Sequence, residues 1–265
     1  MLLTLLRPVW HYRAFVLGSV KREFQSKYRN SLLGAAWIVL QPLAMIVVYT
    51  LIFTQVMQAK LPGVGGTFAY SIYLCAGILT WGLFAEISTR SQNMFLEHAN
   101  LIKKISFPRL CLPVTVVANA LLNFGIVFGL FTLFLLVTGN FPGWAMLALL
   151  PLLALLVAFA VGLGMVLGVL NVFFRDVGQF FGVLITFWFW LTPIVYPLAI
   201  LPAEAQALMA YNPLAAYMAA VQGVLVQGLW PQWGSLVYLA LLSAALCLLG
   251  LRLFRRRAGE MVDEL

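Results

Sequence analysis

The chain reads as long apolar runs separated by short polar breaks, and the runs fall at about 33–57, 69–94, 110–138, 145–172, 177–199 and 233–254. Each has the length of a bilayer span, since roughly 20 apolar helical residues cross about 30 Å of hydrocarbon. They do not alternate apolar with polar residues as the strands of an outer-membrane barrel do, so the pattern predicts helices. Two stretches depart from it. Residues 9–28 are too polar to span. As a helix they gather Val9, Trp10, Tyr12, Val16, Leu17, Val20, Phe24 and Tyr28 on one broad face, with His11, Lys21, Arg22, Gln25 and Ser26 opposite. Arg13, Glu23 and Lys27 intrude on the apolar face. A basic amphipathic helix of this kind lies in a membrane surface, against anionic lipid. Residues 202–232 are broken by Pro213, Gly223, Gly228 and Pro231, too interrupted to cross and too apolar for a free loop. They are expected to form short helices dipping back into the outer leaflet, which is allowed where protein shields the backbone.

Basic residues set the orientation. Arg7, Arg13, Lys21, Arg22, Lys27, Arg29, Arg90, Lys103, Lys104, Arg109, Arg175, Arg252 and residues 255–257 fall on one side of the six spans, and Lys60 alone on the other. The excess of Lys and Arg marks the cytoplasmic face, so both termini are expected in the cytoplasm. The expected fold is an all-α polytopic membrane protein with six transmembrane helices, an N-terminal amphipathic interface helix and re-entrant helices before the last span, in one transmembrane domain covering 1–265. Composition agrees: 63% of residues are hydrophobic, 9% are charged and the mean hydropathy is +1.00. Soluble domains hold roughly 45–50% apolar and 25% charged residues. The net charge of +8 is accounted for by the membrane flanks and leaves no separate basic patch for nucleic acid. Residues 1–7 lack the apolar stretch and cleavage site of a signal peptide, so the first span is expected to act as its own insertion signal.

The chemistry that is missing narrows the function. Glu23, Glu86, Glu97, Asp176, Glu204, Glu260, Asp263 and Glu264 are mostly solitary and at span ends, and His11 and His98 have no ligand partner nearby in sequence. Cys75, Cys111 and Cys247 are widely spaced in apolar surroundings and are expected to be small buried hydrophobes rather than a disulfide framework or metal cluster. An ion-coupled carrier places ionisable groups near mid-membrane. Glu86 and Arg90 come about 17–21 residues into their span, near its cytoplasmic end at about 1.5 Å per residue. Their i,i+4 spacing suits an ion pair; Arg175 and Asp176, in the turn between the fourth and fifth spans, are further ion-pair candidates at that level. No G-x-x-x-x-G-K-[ST] loop is present to cradle nucleotide phosphates, so energy for uphill transport must come from another polypeptide. Gly125/Gly129, Gly164/Gly168 and Gly178/Gly182 are small-x-x-x-small pairs, expected to let helices approach closely within the subunit.

Several motifs together carry a family resemblance. Residues 28–37 (YRNSLLGAAW) with Gln41-Pro42, Tyr49 and Phe53 resemble the entry to the first span in permeases of ABC-type polysaccharide exporters. Residues 100–109 (NLIKKISFPR) resemble that family's cytoplasmic segment between spans two and three. Phe174-Arg175-Asp176, residues 193–197 (PIVYP) and Asn212-Pro213-Leu214 match its later pattern, in order along nearly the whole chain. The resemblance implies the bacterial inner membrane, a second copy of the chain, and two cytoplasmic ATP-binding cassette subunits. ATP and Mg belong to those subunits, so this chain carries no cofactor and is not itself an enzyme. The implied cargo is a lipid-linked polysaccharide (O antigen, capsule or teichoic acid) passing through a channel. The helix at 9–28 and the segment at 97–107 would receive the ATPase stroke, through Lys21, Arg22, Phe24, Tyr28, Arg29, Asn100, Lys103, Lys104, Phe107 and Arg109. The 202–232 segment would form the outer gate.

Aromatic side chains are the conduit candidates: Trp37, Tyr49 and Phe53 on the first span, and Phe187, Trp188, Trp190 and Tyr196 on the fifth. Trp and Tyr ordinarily cluster at membrane interfaces, whereas residues 187–190 fall near the middle of their span. Ring faces offer sugar C–H groups a non-directional sliding surface, although four consecutive aromatics point all round a helix and some must pack in the core. Two rival readings stay open. The same scaffold serves permeases for drugs, haem or small lipids, and a membrane-embedded glycosyl- or acyltransferase would need a catalytic carboxylate or His cluster not found along the chain.

Overall fold

The computed structural model describes residues 12–28, 34–52, 61, 64–104 and 111–264, and among them every regular element is helical. Helix α1 covers Arg13–Tyr28, α2 Trp37–Leu51, α3 Ala69–Glu97 and the short α4 Ala99–Lys104. Then follow α5 (Cys111–Val137), α6 (Leu149–Phe173), α7 (Asp176–Trp190), α8 (Ala203–Met209), α9 (Pro213–Gln227), α10 (Val237–Arg257) and α11 (Glu260–Glu264). Among the described residues four helices are long and apolar enough to cross a bilayer: Ala69–Glu97, Cys111–Val137, Gly143–Phe173 and Trp233–Arg257.

Helix α6 is the centre of the bundle, packed along α10 on one side and α3 on the other. Glycines make both contacts close. A Cβ on Gly162 would stand 2.8 Å from the Cys247 backbone nitrogen on α10, and one on Gly164 would stand 2.4 Å from the Ser91 Cβ on α3. Gly168 meets the Ser91 carbonyl in the same way, at 2.7 Å. The expectation for this glycine pair therefore holds, with both residues packed inside the subunit. Gly125, Gly129 and Gly182 differ, since nothing lies within 4 Å of a Cβ built on them.

Two apolar cores follow from this packing. The larger holds Phe84, Phe131, Leu152, Leu156, Phe159, Tyr217 and Val221, all buried at the junction of α3, α5, α6 and α9. The smaller lies where the helices end near α4, and it brings Met94, Phe95 and Ile102 together with Met165, Phe254 and Met261. Helix α11 is thus tucked under the bundle, with Met261 buried and α4 and α6 as its neighbours.

Sequence accounts for where the shorter helices stop. Helix α9 opens on Asn212, whose side chain accepts a hydrogen bond from the Leu214 amide, with Pro213 in the first turn; it closes on Gly228 at φ +66°. These are the residue types such ends favour. Helix α7 ends at Trp190 because Pro193 has no N–H to donate and biases its predecessor out of helical geometry. Its 15 residues reach about 22 Å, short of the hydrocarbon thickness. The helical part of the expected span at 177–199 therefore covers its first part alone, and the chain continues through turns to a single 3-10 turn at Leu198–Ile200. In the expected first span, α2 occupies Trp37–Leu51, while 53–57 lie outside the described residues.

Candidate functional site

Helix α2 borders a cavity of about 390 Å³ that it shares with α3 and α5. Trp37 and Tyr49 line it from α2, Leu79 and Glu86 from α3, and Asn123 and Phe124 from α5. The lining is mainly apolar, with Glu86 and Asn123 as a polar pair in which Asn123 Nδ2 donates to Glu86 Oε1 at 2.9 Å. The structure thus brings two of the sequence-selected aromatics onto one wall with the Glu86 carboxylate. Phe53 lies outside the described residues.

The aromatics of α7 divide. Phe187 is 63% exposed and Trp190 60%, and with Phe180, Val183, Leu184 and Leu191 they form a continuous open stripe along the helix. Trp188 is turned the other way. Its ring meets Phe84 edge-on at 5.4 Å between centroids, with Trp81 and Phe159 close by, and its Nε1 donates to Asn212 Oδ1 at 3.0 Å. Tyr196 folds back on the helix end, its hydroxyl donating to the Trp190 carbonyl at 2.7 Å. No described lining residue of the α2 cavity comes from α7, so the two aromatic sets occupy separate surfaces of this chain.

Beyond Trp190 the turn at 191–197 is held by side chains from α3 and from α9 with its capping residue. Tyr70 donates to the Val195 carbonyl at 2.7 Å, and Tyr73 to those of Tyr196 and Pro193 at 2.9 and 3.1 Å. Gln222 on α9 donates to the Ile194 carbonyl at 3.2 Å and sits 2.8 Å from where a Gly77 Cβ would be. Asn212 Nδ2 donates to the Leu191 carbonyl and to Thr192 Oγ1 at 3.1 and 3.0 Å. Irregular backbone next to lipid would leave carbonyls unsatisfied at several kcal/mol each, and these side chains supply the missing donors. Reading the sequence alone missed this clasp. Its signal was Gln222, an amide inside the apolar run of α9, which needs buried partners.

On the opposite side of the bundle lie the residues expected to meet an ATPase. Lys21 and Arg22 are exposed on α1 and Phe24 is half-buried; Asn100 and Lys103 are exposed on α4. Ile102 turns inward to the smaller core, so α4 has one buried and one open face. Tyr28 and Lys104 end their helices, and Arg29, Phe107 and Arg109 lie outside the described residues.

Glu86 and Arg90 pair at 3.4 Å, but Arg90 has a second partner. Its Nη2 also bonds Glu23 of α1, and Asn119 of α5 donates to the other oxygen of the same Glu23 carboxylate. The charge that interrupts the apolar face of α1 is thus an internal contact. Arg175 and Asp176 require a correction, since among the described residues they form no ion pair and both are exposed. Adjacent residues on a helical turn do not face each other, and Asp176 in the first turn of α7 instead meets the positive end of the helix dipole. The ordered group at this turn is Asn171, whose Oδ1 accepts from the Gly178 amide at 3.0 Å and whose Nδ2 reaches the Gln92 carbonyl at 3.3 Å.

Relatives fit this arrangement. Residues 16–226 match the family described as ABC-2 type transporter. The O-antigen export system permease protein RfbA of Myxococcus xanthus is 30% identical over 267 residues, covering 100% of each chain. A protein of the same name from Klebsiella pneumoniae is 30% identical, with 89% of this chain and 88% of that one aligned. The polysialic acid transport protein KpsM of Escherichia coli is 24% identical, with 92% and 93% aligned. With the family pattern running through residues 16–226 and a relative aligned over its whole length beside it, the chain belongs to the ABC-2 type transporter family.

Proposed function

We propose that this chain is the membrane subunit of an ATP-driven exporter that carries a lipid-linked polysaccharide out of the bacterial cytoplasm. The observation that carries the reading is similarity to an O-antigen export permease over the whole of both chains. In this reading two copies pair, and each docks an ATP-hydrolysing subunit on the basic face formed by α1 and α4. Six spans cross the inner membrane with both termini inside: α2, α3, α5, α6, α10, and α7 extended by its clasped turn. Helices α8 and α9 sit in the outer leaflet as gate elements. The open stripe of α7 and the Trp37–Tyr49 wall of α2 are the surfaces along which sugar rings slide, because stacking on aromatic faces holds a polymer without trapping it by strong hydrogen bonds.

Reconstitution tests the assignment. The chain is placed in inverted vesicles with its ATPase partner and a lipid-linked polysaccharide, and ATP-dependent protection of the glycan from an added glycosidase is measured. Protection is expected with both proteins and not with either alone; movement of a small lipid without glycan protection would assign the chain to another export class. In the same vesicles, cysteines at 103 and 256 should react with an impermeant thiol reagent and one at 60 should not. Reaction at 60 would overturn the topology.

A further inference from the structure

The contact between Glu23, Arg90 and Glu86 has a property that a simple anchor does not need. One guanidinium serves two carboxylates that belong to different helices, Glu86 on its own helix and Glu23 on α1. Asn119 and Asn123, one turn apart on α5, each hold one of those carboxylates. If α1 withdraws, Arg90 keeps Glu86 four residues away on α3, and Glu86 keeps Asn123. Glu23, whose side chain is already 44% exposed, passes into water. No charge is left buried without a partner, the outcome that makes breaking an ion pair costly. Val16 and Val20 of α1 also pack with Cys111, with Tyr12, Phe15, Val114 and Ala118 around them. Glu86 is also a lining residue of the α2 cavity, so one side-chain chain runs from the cytoplasmic interface helix to the conduit wall.

We infer that Glu23 and Arg90 form a latch that must open in each transport cycle: α1 releases Arg90 when the ATPase acts, and Arg90 then bears on Glu86 alone. Glu23 and Arg90 are positioning residues in this scheme, acting on cargo through Glu86. The inference rests on the reading of α1 as the surface that receives the ATPase stroke.

The test leaves the latch residues in place and fixes α1 from a second point. Val20→Cys puts a thiol in the same apolar cluster as native Cys111, and oxidation is used to join α1 to α5, with loss of both free thiols checked before export is measured. In the reconstituted vesicles, oxidation of the Val20→Cys protein should lower glycan export at least tenfold, and reduction should restore it. The unsubstituted protein treated alike is the control. A static anchor predicts no loss on locking, so export at the unlocked rate overturns the latch. Glu23→Gln should also lower glycan exported per ATP hydrolysed at least fivefold at equal protein level, with Glu23→Asp recovering part of it. An unchanged ratio in Glu23→Gln likewise overturns the latch, and if that variant does not accumulate, the oxidation result decides. The underlying reading fails separately: Lys21→Ala combined with Arg22→Ala would then leave both ATP turnover and export unchanged. If that double variant lowers export while the locked protein exports normally, the latch alone is wrong.

Discussion

Gly125 and Gly164 look alike in sequence, each an apolar-helix glycine with another glycine four residues on, yet packing separates them. A methyl at 164 overlaps the Ser91 Cβ, which belongs to a stiff helix and cannot rotate away, whereas a methyl at 125 meets nothing within 4 Å. Gly164→Ala should destabilise the protein by about 1–3 kcal/mol, the usual cost of overpacking. Gly125→Ala should be neutral or stabilising by up to about 1 kcal/mol, because alanine is the better helix former. Thermal unfolding in detergent measures both, and equal shifts would contradict the close α3–α6 contact. Glu23 teaches the complementary lesson at this scale. It stood out in the sequence as a flaw in an amphipathic face, and no local pattern names a partner on α3 or α5, 67 and 96 residues away along the chain. Polar residues on apolar faces were visible; what they bond was not.

At the scale of single elements, α7 shows how far periodicity reaches. Four aromatics in a row at 187–190 must point all round a helix, but which of them face the bundle depends on where α3, α6 and α9 stand. The structure turns Trp188 inward and leaves Phe187 and Trp190 open. Trp188→Ala should therefore act on stability, costing about 3 kcal/mol, the low end for removing a large aromatic because the ring is half-buried. It also strands Asn212 Oδ1 of one of its two donors. Phe187→Ala and Trp190→Ala should leave the melting temperature within a few degrees while lowering export. Export loss at unchanged stability in Trp188→Ala would instead put that ring in the conduit. The expected span ran on to 199, past the end of α7 at Trp190 that Pro193 marks, and the Asn212-Pro213 start of α9 is likewise a local signal, because capping and proline effects are local. The clasp that joins those two ends was not legible, because it needs Tyr70 and Tyr73 from a helix more than a hundred residues earlier.

Over the whole molecule, composition and the long apolar runs were enough to give a helical membrane protein, since these depend on solvent rather than on packing; the orientation expected from the basic bias is left to the labelling test. The centrality of α6 and the folding of α11 beneath the bundle were out of reach, because glycine spacing does not say which neighbour a helix meets. The packed structure also divides the bundle into stiff and yielding parts. Helix α7 is pinned at its N-terminal end, where Asn171 takes the Gly178 amide, and just past its C-terminal end, where Asn212, Tyr70, Tyr73 and Gln222 hold the turn. It cannot tilt unless α3 and α9 tilt with it, so these helices make a fixed jamb. Helix α2 meets this frame through apolar packing, with Ile46 buried in the larger core and Tyr49 against it. It carries Pro42 within its length, and Leu40, Leu43, Val47 and Val48 along it are exposed. The aperture of the conduit would then be set by α2 swinging like a door against a frame that keeps its shape. Spin labels on α3 and α7 should hold their separation through ATP turnover while a label on α2 changes its distance to both, and a variable α3–α7 distance would mean that the frame itself gives way.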